Sequence, residues 1–90
     1  MSAYVVAYDL KEQGQNYDCI IEKIKSYGTH WHMQKSVWIV VTSDTSEKIY
    51  NKLQPCLDDN DRLFVGELTS DCTWSNGYGD KVTAWLTKNL

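Results

Sequence analysis

The run Tyr4-Val5-Val6-Ala7-Tyr8-Asp9-Leu10 decides how this chain is read. Its β-branched and aromatic residues suit a pleated surface, it has the length of an ordinary strand, and it stops at the polar run Lys11 to Gln15. Side chains alternate along a strand, so Val5 and Ala7 share one face while Tyr4, Val6, Tyr8 and Leu10 share the other. Both faces are apolar. Such a strand needs cover on two sides.

Outward from that strand the period changes at Asn16. Tyr17, Ile20, Ile21, Ile24 and Tyr27 recur at three- and four-residue steps, with Glu22, Lys23 and Lys25 on the opposite face, which predicts an amphipathic helix capped by Gly28. His30 to Gln34 is a weaker extended stretch, Lys35-Ser36 a hairpin turn, and Val37-Trp38-Ile39-Val40-Val41 the strongest strand in the chain, again apolar on both faces. Asp44 and Glu47 have capping-box spacing, and Ile49, Tyr50 and Leu53 make a helical stripe that Pro55 ends. Asp58-Asp59-Asn60-Asp61 reads as a solvated turn with side-chain-to-backbone bonds, and Arg62 to Leu68 as a fourth strand. After a polar loop from Thr69 to Gly79, Asp80 is expected to cap a short helix whose Val82, Trp85 and Leu86 share one face.

The order β-α-β-β-α-β predicts an α+β, ferredoxin-like antiparallel sheet with two helices on one face, plus a short C-terminal helix. Ninety residues, 42% of them hydrophobic, leave room for one core, so residues 1–90 are expected to form a single domain. The second sheet face would expose more apolar surface than a soluble monomer usually carries. A two-fold homodimer is the expected cover; the alternative is that the C-terminal segment folds back over it with Trp74 and Trp85. No apolar run approaches membrane-spanning length and no secretory leader is evident, so a cytoplasmic protein without a membrane partner is expected. Three cysteines without a CxxC spacing predict neither a disulfide framework nor a cysteine zinc site; Cys19 reads as inert beside its helix's buried stripe. A formal net charge of -3 weighs against gripping long duplexes by the bare surface and favours small or single-stranded ligands.

Asp9 is the first candidate for chemistry, because an acid directly after an apolar strand sits at a rim. It has two readings: a turn-capping residue, or a metal ligand that dimerisation pairs with its own copy, giving hard oxygens suited to magnesium or manganese. His30 and His32 share a strand face, a spacing open to ligation or proton transfer and equally to plain edge bonding. Lys35 and Ser36 at the hairpin turn could meet a phosphate, and Tyr4, Tyr8, Trp31 and Trp38 could stack bases or fill core.

In order and spacing, Tyr-Val-Val-Ala-Tyr-Asp-Leu (4 to 10), Gln34-Lys35-Ser36-Val37-Trp38 and Asp61-Arg62-Leu63-Phe64-Val65 resemble the Cas-two proteins of CRISPR adaptation. Asp9-Leu10, Gly14-Gln15-Asn16-Tyr17, Trp31-x-Met33 with His32, Ser36-x-Trp38 and Asn60-Asp61-x-Leu63 through Leu68-Thr69 resemble their SinR-like branch more closely. That resemblance implies a ferredoxin-like homodimer meeting through its sheets, with Asp9 the metal-binding acid of a metal-dependent nuclease. It departs from the family's usual basic loop and helix, having Lys11-Glu12-Gln13-Gly14-Gln15-Asn16 and only Lys23 and Lys25 on the first helix.

Three functions stay open at this point. The first is a magnesium-dependent endoribonuclease or nuclease, with Asp9 on the metal, Ser36 near the scissile phosphate, His32 carrying a proton, and Tyr8, Trp31, Lys35 and Trp38 touching RNA, single-stranded nucleic acid or nucleotide. The second is a noncatalytic dimer that binds a partner protein or a small nucleotide. The third is a toxin-like ribonuclease akin to the VapD group.

Overall fold

Strands and helices alternate as β1 (Ser2–Asp9), α1 (Tyr17–Lys25), β2 (Thr29–Gln34), β3 (Val37–Thr42), α2 (Ser46–Leu53), β4 (Arg62–Leu68) and α3 (Asp80–Asn89), with 3₁₀ turns at Gln54–Cys56 and Asn76–Tyr78. The computed structural model describes residues 1–11 and 17–90. The polar run from Glu12 to Asn16, which includes the expected helix start at Asn16 and the Gly14-Gln15-Asn16 motif, lies outside the described residues. The sheet order is β2-β3-β1-β4, with every neighbouring pair antiparallel. This is the α+β, ferredoxin-like arrangement expected from the apolar periods.

Under α1 and α2, the even-numbered residues Tyr4, Val6 and Tyr8 of β1 join Trp38 and Val40 of β3, Ile20 and Ile24 of α1, and Ile49 and Leu53 of α2 in the main core. Val6, Ile20, Ile24, Val40, Ile49 and Leu53 have no measurable exposure, so each contributes its full transfer free energy of roughly 1.5–3 kcal/mol. Trp38 donates its ring N–H to the Tyr8 hydroxyl at 3.2 Å, which satisfies the one polar atom of each buried ring.

On the other face, Ala3 and Ile39 meet Leu86 of α3, with Trp31, Met33, Leu68, Trp74 and Trp85 packed around them. The C-terminal segment does fold back over this face, with Trp74 and Trp85, which was the alternative to a second copy. The cover is partial. Val5 and Ala7 remain half-buried, and Phe64, the residue paired with Ala7, is 63% exposed.

Several local expectations shift by a residue or more. Thr45, not Asp44, caps α2: its side chain accepts from the Lys48 N–H at 3.2 Å. Asp44 is drawn away because its carboxylate accepts the Tyr27 hydroxyl at 3.1 Å. Gly28 is no left-handed cap, since the only glycine at positive φ among the described residues is Gly79. The end of α1 tightens instead through Tyr27 N–H to Ile24 O at 3.1 Å. Gly79, at φ 86, replaces Asp80 as the residue that turns the chain into α3, and Asp80 stands in the first turn, where its charge suits the helix dipole. The hairpin turn at Lys35-Ser36 is as expected, with Lys35 at φ 21 and a bulge between His32 and Gln34.

The cysteine reading is overturned. Cys19 of α1 and Cys56 of the 3₁₀ turn are joined in a disulfide, with Cα atoms 5.7 Å apart. Their sequence separation of 37 concealed the pairing; packing α1 alongside α2 on one sheet face brings them together. Cys72 is the free thiol.

Candidate functional site

Asp9 ends β1 on the face turned away from α1 and α2, because it shares the odd-numbered side with Ala3, Val5 and Ala7. It is exposed, and its cross-strand partner on β4 is Arg62. One step inward Ala7 pairs with Phe64 on one side and Val37 on the other. Ala7, Tyr8, Asp9, Arg62, Leu63 and Phe64 line a shallow indentation of about 260 Å³ at this rim.

Local sequence explains the shape of the rim. Gly66 lies two residues from Phe64 on the same face of β4, and an added Cβ there would stand 2.9 Å from Phe64 Cε2. The missing side chain lets the phenyl ring lie flat along the strand. Behind the rim, the turn before β4 is closed by Asp61, whose carboxylate accepts the Asp58 N–H at 2.9 Å and the Lys11 N–H at 2.8 Å. The Asp58 to Asp61 run is therefore the side-chain-bonded turn its composition predicts. Lys11 N–H is tied to Asp61, not to Asp9, so that turn-capping contact does not occupy the Asp9 carboxylate.

The structure brings some of the expected site residues together and separates others. Tyr8 N–H donates to the Ser36 carbonyl at 3.1 Å, which sets the Lys35-Ser36 turn at the same end of the sheet as Asp9. His32 reaches this turn from the opposite sheet face to Asp9. It pairs with Trp38 on the helix-side face, stacks on that ring with centroids 4.2 Å apart and bonds the Lys35 carbonyl through Nε2, whereas Asp9 lies on the other face. His30 bonds the Tyr27 carbonyl through Nδ1 at 2.8 Å, an edge-strand contact. Tyr8 and Trp38, expected to touch bases, are core residues with 6% and 2% exposure. Trp31 faces α3, edge-on to Tyr78 at 5.4 Å and tilted on Trp85 at 6.0 Å, so its ring is occupied by the chain itself. The reason is common to all three: pleat alternation sends each ring to a face that a helix covers.

Arg62, Phe64 and Gly66 join this rim without a motif of their own in the sequence. The signal was present in the alternation of β4, which places Arg62, Phe64, Gly66 and Leu68 on one face opposite Asp9, Ala7, Val5 and Ala3. Among the described residues no group of three or more His, Cys, Asp or Glu side chains is placed to hold a metal. Among the described residues, this rim presents one exposed carboxylate, Asp9, across the strand pair from Arg62.

No helix among the described residues is long and apolar enough to cross a membrane. No solved structure matches the chain. The family model described as CRISPR associated protein Cas2 matches residues 1–75, a span that holds all four strands, α1, α2 and Asp9 and stops before α3. The chain thus belongs to the CRISPR associated protein Cas2 family.

Proposed function

We propose that the protein works as a cytoplasmic homodimeric, divalent-cation-dependent nuclease, with the Asp9 carboxylates of two copies sharing the cation. The observation that carries this reading is the position of Asp9, exposed beside the part of the second sheet face that α3 leaves open around Ala7 and Phe64. A two-fold contact duplicates whatever lies near its axis, so a second copy seated on Phe64 brings a second Asp9 to the same cleft. A lone carboxylate is a poor cage for magnesium or manganese, whereas two carboxylates with water suit either ion. Held by the two Asp9 carboxylates, such an ion would supply Lewis-acid activation for attack on phosphorus. Arg62 and Lys35 at the rim offset phosphate charge, and Ser36 stands at the turn as a hydroxyl donor to a phosphate oxygen. The net charge of -3 favours single-stranded RNA over long duplexes as substrate.

The test is cleavage of a single-stranded RNA with magnesium, by the native chain and by Asp9→Asn, with sedimentation of both. Magnesium-dependent cleavage by a dimer, lowered roughly a thousandfold in a variant that remains dimeric, is expected. Cleavage that survives chelation, or is unchanged in Asp9→Asn, overturns the reading. A second reading, a noncatalytic dimer that holds a small nucleotide, is supported by the net charge of -3, which a small ligand tolerates better than a long nucleic acid does. It predicts thermal stabilisation by nucleotide that is insensitive to chelator, with no turnover.

A further inference from the structure

The Cys19–Cys56 disulfide differs in its two halves. Cys56 is 7% exposed in the main core, whereas Cys19 is half-buried and lines the groove between α1 and α2 together with Asp18, Glu22, Lys23, Ser26 and Lys52. That groove, about 540 Å³, admits a molecule much larger than water. Its mouth carries cations. Lys52 Nζ bonds Ser26 Oγ and stands 4.3 Å from the Tyr27 ring centroid, and Lys23 Nζ donates to the Lys52 carbonyl at 3.1 Å. An anionic thiol approaching Cys19 meets these two ammonium groups as well as the Asp18 and Glu22 carboxylates.

The bond also sits at a mechanical junction. Leu57 N–H donates to Gln54 O at 3.0 Å, Asp61 N–H to Asp58 O at 3.1 Å, and the Asp61 carboxylate holds Lys11 N–H. Cys56 thus anchors the turn that enters β4 at Arg62, the residue paired with Asp9. We infer that Cys19–Cys56 is a reversible redox couple, opened at Cys19 by a small anionic thiol of the glutathione class, and that its closure fixes the turn on which the Asp9 rim rests.

The exchange balances. A thiolate attacks Cys19 Sγ, a mixed disulfide forms as the Cys19–Cys56 bond breaks, and Cys56 leaves as a thiolate that takes a proton. A second thiolate attacks the small-molecule sulfur of the mixed disulfide, releases Cys19, which takes a proton, and departs as the oxidised dimer of the thiol. Two electrons pass to the protein, and the oxidised dimer returns it by the reverse steps.

The experiment uses the native chain in buffers of graded reduced-to-oxidised glutathione, trapped by alkylation and mapped by peptide mass. The expected result is that Cys19 and Cys56 alkylate together at the reducing end only, and that any mixed disulfide of the pair is carried by Cys19. Reduction is expected to lower the melting temperature by roughly 10–20 °C and to speed hydrogen exchange at the Lys11 amide by on the order of tenfold, with Val6 still protected. Alkylation of both cysteines at every ratio, resistance of the bond until the chain unfolds, or equal Lys11 exchange in both forms overturns the inference. None of these readouts involves nuclease activity or dimerisation, so this outcome and that of the proposed function are separable.

Discussion

At the scale of single residues, Tyr27 shows how packing alters chemistry that its residue type alone does not reveal. Burial between α1, β3 and α2 pushes its phenol up to about 12, and the hydrogen bond to the Asp44 carboxylate adds to the shift by favouring the protonated phenol. The ordinary value is 10.0, so the folded pKa lies above the unfolded one. The stability this phenol contributes is complete below pH 10 and drains away as the pH rises through about 12. Ultraviolet titration of tyrosinate absorbance should show, beside the phenol of Tyr8 that burial also raises, the Tyr27 phenol ionising at about 12. In Asp44→Asn that phenol should ionise earlier but still late, because burial is the larger cause; an unchanged titration would detach Asp44 from the effect. Tyr27 was legible as a stripe residue of the first helix, whereas Asp44 was read as a helix cap. Its actual partner lies 17 residues away along the chain, beyond any local pattern.

At the scale of elements, α3 shows what patterning can and cannot say. Val82, Trp85 and Leu86 were legible as one apolar face, but a helical stripe does not name its partner. Here the partner is the chain's own sheet: Leu86, 2% exposed, rests on Ala3 and Ile39, and the Trp74 ring N–H donates to Thr83 Oγ1 at 3.1 Å. Tyr78 in the preceding 3₁₀ turn donates its hydroxyl to Gln34 Oε1 at 2.7 Å, which ties the loop to β2. Leu86→Ala should cost about 2–4 kcal/mol, read as a fall in the chemical-denaturation midpoint. If α3 were only loosely laid on the sheet, the loss would be under about 0.5 kcal/mol. Helix α3 lies beyond the residues matched by the Cas2 family model, so its cover is a feature of this chain over and above the matched domain.

At the scale of the whole molecule, Phe64 stands 63% exposed on the sheet face that α3 covers only in part. The ring lies along β4 above Gly66, next to the Asp9 and Arg62 pair, at the end of the sheet that α3 does not reach. Under the proposed dimer, Phe64→Ser should raise the dissociation constant by on the order of a hundredfold or more, since each two-fold contact loses the ring twice. It should leave the melting temperature of the separated chain nearly unchanged, because the ring is mostly solvated there. Gly66→Ala should weaken association too, by lifting the ring, at a stability change within about 1 kcal/mol. Sedimentation over a concentration series reads all three chains. Self-association equal in the native chain and Phe64→Ser would remove the Asp9 pairing along with the dimer.

The sequence by itself determined the order of elements, the two-sided apolar character of β1 and β3, the hairpin turn and the rim position of Asp9. Each follows from a local period or a steric preference of a few adjacent residues. Tertiary structure alone decided that Cys19 meets Cys56, that His32 and Asp9 fall on opposite faces, that the Tyr8 and Trp38 rings are core, and that α3 shares the second face with an open patch at Phe64. Those outcomes depend on which faces meet, and strand pairing and helix packing across long sequence separations fix them, where no short-range pattern acts.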